Sequence, residues 1–187
     1  MVIVLSGSTQ QRAKIHEMTL IGILAAVNIA SRIALQALPN IKPVTSIIIL
    51  SVMIFGLAFG IKLTIVTTIV SNIFLGMGPW TFFQILAWVV ICLITQILLD
   101  FFHKIKKEPP LLFMAIFAFF MGYVFGFVVS LEKFVYGGLN TFIVYYGAGL
   151  LFDTLHAVGN FFFYLICSPI LMKIFEKELE KQKKYSE

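Results

Sequence analysis

The sequence predicts an all-α integral membrane protein with six transmembrane helices and both termini in the cytoplasm. Of its 187 residues, 60% are hydrophobic and only 12% are charged, and the mean hydropathy is +0.99. The charged residues form short clusters between long apolar segments. Residues 63–99 contain no charged side chain, and at about 1.5 Å per residue this segment is long enough for about two bilayer crossings.

Charged residues, prolines and glycines mark the ends of six predicted helices. These helices cover residues 15–37, 44–60, 62–76, 82–103, 111–131 and 149–174. The long uncharged segment turns at "GMGPWT", residues 76–81, because two glycines and a proline favour a tight reversal. The segment "EKFVYGGLNTFIVYYG", residues 132–147, is predicted to be an external loop. The membrane domain, residues 15–174, is flanked by a cytoplasmic segment, residues 1–14, and a charged cytoplasmic tail, residues 175–187.

The distribution of Lys and Arg predicts the orientation, because cytoplasmic loops of membrane proteins are enriched in these residues. Only Arg32, Lys42 and Lys133 fall on the side opposite the termini. The other eleven of the 14 lie on the side of the termini: Arg12, Lys14, Lys62, Lys104, Lys106, Lys107, Lys173, Lys177, Lys181, Lys183 and Lys184. Such clusters favour contact with lipid headgroups, and no basic groove with interleaved aromatics suggests a nucleic-acid partner.

The first helix has two chemically different faces. Asn28 and Arg32 are four residues apart on one face, and a charged residue in a span is expected to face protein or a water-filled cavity. The opposite face carries a small residue at every fourth position, which favours close approach of another helix: Gly22, Ala26, Ala30 and Ala34. We call these four residues the small-residue stripe. It is expected either to dock a second membrane protein or to pack within the bundle.

The last helix carries a polar face in its outer half. Asp153, His156 and Asn160 are spaced so that they share one side of the helix. Two interpretations are open for Asp153 and Arg32: a buried ion pair that ties the first helix to the last, or contact with a ligand.

Further polar and aromatic residues are predicted to surround this cluster on the outer side. The amides there have no membrane-belt explanation, whereas the Trp and Tyr residues could also form an interfacial belt. The candidates are Asn40, Lys42, Asn72, Trp80, Gln84, Trp88, Tyr136, Asn140, Tyr145 and Tyr146. Together they suit a polar, ring-containing small molecule. The first external connection, "QALPNIKPVTS", is predicted to be part of a lid whose two prolines restrict its backbone.

The sequence contains no motif for enzymatic chemistry. The GxxxxGK[ST], HExxH and GxSxG patterns are missing, and Cys92 and Cys167 suggest neither a disulfide nor a metal site. No catalytic residue, metal or cofactor is therefore expected. Neither an internal repeat nor a broken helix of the kind found in secondary transporters is evident. Active uptake would then require energy from another subunit.

Three segments resemble the substrate-binding S components of energy-coupling factor (ECF) transporters, most closely the cobalamin-type members. They are "LPNIKPVTSIIILSVMIFG" from Leu38, "SNIFLGMGPWTFFQILAW" at residues 71–88, and "DTLHAVGN" at residues 153–160. The AxxxA motif of these proteins occurs twice, at Ala26 to Ala30 and at Ala30 to Ala34. The likeness covers about residues 15–174.

The resemblance implies a multi-pass protein of a prokaryotic plasma membrane that binds cobalamin or a related corrinoid on its outer face through loops one, three and five. It further implies docking of the small-residue stripe on a transmembrane T component, which sits on two ATP-binding cassette ATPases that use the ATP. The S component would topple in the membrane to release its substrate. Alternatives are an S component for another vitamin, a stand-alone channel or secondary transporter using Arg32 and Asp153, and a purely structural subunit.

Overall fold

The computed structural model describes the backbone of residues 2–186, which fold into five α-helices. The side chains of residues 1–10, 12, 13, 176 and 178–187 lie outside the described part, and so do those of Arg12, Lys181, Lys183 and Lys184. The helices are α1 (Val2–Ala34), α2 (Val44–Phe55), α3 (Leu57–Leu75), α4 (Trp80–Lys104) and α5 (Leu111–Ser186). Residues 2–14 and 175–186, from the two segments predicted to flank the membrane domain, are helical parts of α1 and α5.

Two of the predicted breaks are glycines with positive φ. The reversal within the long uncharged segment lies where it was predicted, because α3 ends at Leu75 and Gly76 adopts φ 104°. The break between α2 and α3 comes earlier than predicted, at Gly56 with φ 85°. Only glycine adopts such backbone angles at little cost, so each position ends a helix within one residue.

The segment predicted to be an external loop is helical, and that prediction was wrong. Helix α5 runs for 76 residues, and only Gly138, with φ 72° and ψ −176°, departs from helical geometry within it. Across this point the arms at residues 111–137 and 139–186 pack antiparallel, since the hydroxyls of Tyr123 and Thr154 lie 2.9 Å apart. One glycine therefore reverses the chain where a loop was expected.

Small residues allow the two arms of α5 to approach closely. A Cβ added at Gly122 would lie 2.6 Å from the Cα of Ala157, and one added at Gly126 would overlap the carboxyl group of Asp153. Glycines four residues apart form a flat surface that suits helix contact within a membrane. The spacing of Gly122 and Gly126 therefore supports the hairpin.

Helix α2 lies at the centre of the bundle. All nine residues from Val44 to Val52 are buried, and the helix packs against α3, α4 and α5. Its 12 residues span about 18 Å, less than the roughly 30 Å hydrocarbon core of a bilayer. An apolar helix this short and this enclosed is shielded from lipid by its neighbours.

The class of the fold agrees with the prediction of an all-α membrane protein. Among the described residues, four helices are long and apolar enough to cross a membrane: Lys14–Ala34, Leu57–Leu75, Trp80–Lys104 and Leu111–Phe175. Helix α2 is a shorter apolar helix, and the last candidate contains both arms of the hairpin.

Helix α1 lies at the edge of the bundle and packs mainly on α3. Asn28 and Arg32 face inward, with 0% and 6% of their surfaces exposed. The small-residue stripe is exposed along its whole length, and no atom lies within 4 Å of a Cβ added at Gly22. The prediction that Asn28 and Arg32 face the bundle and that the small-residue stripe faces away from it is confirmed. The stripe does not pack within the bundle.

Candidate functional site

Two adjoining cavities open where α1 ends and where α2 and α4 begin. The smaller has a volume of about 220 Å³ and the larger about 410 Å³. Asn40, Gln84 and Phe125 line both cavities, so the two lie next to each other. The smaller cavity is otherwise lined by Arg32, Gln36, Lys42, Val44, Leu75, Trp88 and His156. The larger is otherwise lined by Gly126, Val129, Ser130, Tyr145, Ala148, Gly149, Phe152 and Asp153.

Arg32 is held by neutral side chains from α3 and α4. Its guanidinium donates to Oγ of Ser71 at 2.6 Å and to Oδ1 of Asn72 at 3.0 Å. A third donation reaches Oε1 of Gln84 at 3.4 Å. The guanidinium carbon also lies 5.3 Å from the ring centroid of Trp88, within range of a cation–π contact. These contacts fix the position of Arg32 without neutralising its charge.

Arg32 and Asp153 do not form the buried pair that was one interpretation of the sequence. Among the described residues no ion pair joins them, because Arg32 turns towards α3 and α4 and Asp153 lies on the second arm of α5. Asp153 is 7% exposed, with no hydrogen bond or ion pair to any described residue. Its carboxyl group lies against Gly126 on the first arm and lines the larger cavity.

A chain of hydrogen bonds ties α4, α2 and α5 to the first connection. Nε1 of Trp88 donates to Oγ1 of Thr45 at 3.0 Å, and that hydroxyl lies 3.1 Å from Nε2 of His156. Nδ1 of His156 lies 2.8 Å from the backbone carbonyl of Asn40, which can only accept. Nδ1 therefore carries the hydrogen, and in a neutral ring Nε2 accepts from Thr45.

The first connection, residues 35–43, contributes Gln36, Asn40 and Lys42 to the lining of the smaller cavity. Asn40 adopts φ 55°, a conformation that asparagine tolerates better than most residues. Lys42 is partly buried, and its Nζ donates to the carbonyl of Leu38 at 3.4 Å. Burial, followed by the nearby charge of Arg32, lowers the pKa of Lys42 below its ordinary value of 10.5. The connection therefore brings a second cation to the cavity that contains Arg32.

The structure brings together most of the site residues predicted from the sequence. Those lining a cavity are Arg32, Asn40, Lys42, Gln84, Trp88, Tyr145, Asp153 and His156. Asn72 lies behind Arg32, and its amide donates to Oγ1 of Thr81 at 2.9 Å and to Oε1 of Gln84 at 2.8 Å. Asn160 is fully buried outside both cavities, and its amide has no hydrogen-bond partner among the described residues.

Four predicted residues lie away from the cavities. Trp80 is 40% exposed and Tyr136 is 69% exposed, and Asn140 is also exposed. Tyr146 stacks on Phe142 with ring centroids 5.7 Å apart. Tyr136, Asn140 and Tyr146 were predicted on a loop but lie on helix, and none of the three lines a cavity.

Several functional residues were missed by the sequence reasoning. Phe125 separates the two cavities, and its ring lies 4.7 Å from that of Trp88 and 5.1 Å from that of His156. A phenylalanine in an apolar span gives no signal that distinguishes a cavity wall from a lipid-facing position. Thr45, by contrast, lies beside the first polar connection within a quoted segment and could have been included.

Comparisons with known proteins found no matching family model, no similar curated protein and no similar solved structure for this chain.

Proposed function

We propose that this chain is the substrate-binding S subunit of an ATP-driven uptake transporter of the ECF type. The observation that supports the proposal most directly is that the two faces of α1 present different surfaces. Its buried face presents Arg32 to a cavity, and its exposed face presents the small-residue stripe. A subunit that must bind a ligand on one side and a partner on the other requires this arrangement.

The topology belongs to the same proposal. The chain crosses a prokaryotic plasma membrane six times, α5 crosses twice by folding at Gly138, and both termini are cytoplasmic. The cavities then open to the outside, at the end of the bundle where Arg32 and Lys42 lie. Basic residues at the opposite end support this orientation, including Lys104 at the end of α4 and Lys106 and Lys107 between α4 and α5.

The partners are a transmembrane T component, which binds the small-residue stripe, and two ATPases, which use the ATP. A row of small exposed side chains supports helix docking, because association inside a bilayer depends on close packing. The chain itself then needs no catalytic residue. Its role is to bind the substrate and to present it to the energised complex.

The ligand implied by the resemblance is cobalamin or a related corrinoid. Amide and aromatic side chains at the cavities, including Gln84, Asn40 and Trp88, suit the amides and broad apolar faces of a corrinoid. The cavity volumes favour a second candidate, a smaller ring-containing vitamin. Even taken together, cavities of about 220 and 410 Å³ offer no more than the roughly 300–1,000 Å³ typical for drug-sized ligands, and a corrinoid is larger than such ligands.

The test is titration of the purified full chain with a panel of vitamins that includes cobalamin. Tight binding of one vitamin supports the proposal, and a bound corrinoid would colour the preparation. A matched pair of variants locates the site: Trp88→Leu should weaken binding, because Trp88 lines the smaller cavity, whereas Trp80→Leu at an exposed position should not. A chain that binds no vitamin contradicts the proposal.

A further inference from the structure

The two cavities differ in the charge of the side chains that line them. The smaller cavity is lined by Arg32 and Lys42 and by no carboxylate of the described residues. The larger cavity is lined by Asp153 and by no Lys or Arg of the described residues. Taken together, the two neighbouring cavities therefore have a cationic end and an anionic end.

Neither charge is neutralised within the described part of the protein. Arg32 donates only to neutral side chains, and Lys42 donates to a backbone carbonyl. Asp153 is more than nine-tenths buried and has no hydrogen-bond or ion-pair partner among the described residues. Charged side chains that line a cavity without an ion-pair partner favour groups of opposite charge on a ligand that enters it, so both ends would attract such groups.

Two ion pairs are present among the described residues outside the cavities. Nζ of Lys62 lies 2.7 Å from Oε1 of Glu17, and Nζ of Lys133 lies 3.4 Å from Oε1 of Glu132. Glu132 is about as buried as Asp153, at 8% against 7% exposed, and it forms an ion pair with Lys133. Asp153 instead faces the open volume of the larger cavity.

An aromatic wall runs between the two ends. Phe125 lines both cavities, and its ring is tilted by 41° to that of Trp88 at a centroid distance of 4.7 Å. Trp88 is 3% exposed and already faces Arg32, whereas Phe125 is only partly buried, so the ring of Phe125 is the surface against which a flat ring can pack. The wall therefore selects a planar group that reaches from one cavity into the other.

We propose that the substrate is a planar ring compound with opposite polarity at its two ends. An anionic or strongly accepting group binds Arg32 and Lys42, and a cationic or strongly donating group binds Asp153. This inference rests on the proposed function, in which the cavities are the substrate site. It narrows the substrate class to amphoteric ring compounds and excludes ligands charged at one end only.

The test uses three probes that share one ring. Zwitterionic 4-(aminomethyl)benzoate carries opposite charges at its two ends, 4-methylbenzoate carries only the anion, and 4-methylbenzylamine carries only the cation. Calorimetric titration of the purified full chain should show the zwitterion binding about tenfold more tightly than either analogue, as expected for one additional charge-assisted hydrogen bond. Equal affinity for the three probes, or no binding of the zwitterion at millimolar concentration, overturns the inference.

Two variants and a control assign the ends of the site. Asp153→Asn should weaken binding of the zwitterion and so remove its advantage over 4-methylbenzoate. Lys42→Gln should reduce the difference in affinity between the zwitterion and 4-methylbenzylamine. Glu132→Gln removes an equally buried carboxylate that lines neither cavity, and it should change no affinity. Equal loss of all three probes in Asp153→Asn contradicts the assignment, and if this variant does not purify, the wild-type comparison alone decides.

The outcome is separable from that of the proposed function. If a vitamin binds tightly but Asp153→Asn leaves its affinity unchanged, the inference fails and the transport role stands. If the probes bind with the expected charge dependence but no vitamin binds, the site is as inferred and the vitamin proposal fails.

Discussion

Thr45 joins Nε1 of Trp88 to Nε2 of His156, and neither nitrogen has another hydrogen-bond partner among the described residues. It accepts from the indole of Trp88 and lies within hydrogen-bond distance of His156, and all three side chains are buried. A buried polar group that loses its partner costs more than a hydrogen bond ordinarily contributes. The hydroxyl of Thr45 therefore determines whether the wall of the smaller cavity keeps its shape.

Replacing Thr45 by valine should destabilise the protein by about 1–3 kcal/mol for each polar group left unpaired. Thermal unfolding of the detergent-solubilised chain measures the change, and ligand affinity should fall with it. Thr141→Val is the matched control, because the exposed Thr141 bonds only to the carbonyl of Gly137 in its own helix. Equal effects of the two substitutions would contradict this role of Thr45.

Lys42 should make stability depend on pH. Its pKa is lowered from 10.5, so between the lowered pKa and 10.5 the unfolded chain binds more protons at this site than the folded chain. Stability contributed by this group therefore rises with pH through that window. We expect Lys42→Gln to unfold at a higher temperature than the wild type at pH 7, with the difference shrinking as the pH approaches 10.5.

Melting curves of both proteins across this pH range give the measurement. Lys107→Gln, at an exposed position between α4 and α5, serves as the control and should follow the wild type throughout. A constant difference between Lys42→Gln and wild type at all pH values would contradict the assigned cause.

The hairpin of α5 depends on glycine where its arms touch. The arms bring Gly126 and Asp153 to the same cavity, so separation of the arms would also disturb the larger cavity. Packing of the element and shape of the site are therefore coupled.

Gly122→Ala should destabilise the protein by about 1–3 kcal/mol, the usual cost of overpacking, since the new Cβ would lie 2.6 Å from the backbone of Ala157. Gly147→Ala in the same helix has nothing within 4 Å and should be neutral or slightly stabilising, because alanine favours helix. Unfolding temperatures of the two variants test this. A Gly122→Ala protein as stable as Gly147→Ala would show that the arms tolerate greater separation.

The exposed face of α1 gives a prediction for partner binding. Ala30→Trp should abolish vitamin uptake by cells that contain the whole transporter and leave vitamin binding by the purified chain unchanged, because Ala30 is exposed and Arg32 faces the cavity. Ile97→Trp, at an exposed position on α4, is the control and should retain uptake. Loss of vitamin binding in Ala30→Trp would place the stripe in the ligand site instead.

At the scale of the whole molecule, the proposed topology can be measured by labelling. In a chain without Cys92 and Cys167, a cysteine at position 107 should react only from the cytoplasmic side. Cysteines at positions 77 and 140 should react with an impermeant reagent from outside, because these positions are exposed at the α3–α4 and hairpin reversals. Labelling of positions 77 and 140 from opposite sides would exclude six crossings.

Local periodicity was sufficient to predict much of this architecture. The burial of Asn28, Arg32, Asp153 and His156 follows from helical spacing and from the cost of exposing polar groups to lipid. The hairpin was missed because residues 132–147 have the polar and aromatic composition of a loop, whereas Gly138 reverses the chain alone. The sequence could not show that Arg32 and Asp153 lie apart, because this depends on how the helices pack together. Residue spacing within each helix does not determine that packing.

The neutral cradle of Arg32 has a consequence for how the protein is made. Arg32 is synthesised about 40 residues before Ser71 and Asn72, the side chains that later hold it. During membrane insertion α1 therefore carries a charge whose partners do not yet exist, at a cost of up to about 3 kcal/mol if it enters the centre of the bilayer. We therefore expect α1 to be stably inserted only after α3 has been synthesised and its side chains hold Arg32. The order of synthesis is thereby linked to the assembly of the binding site.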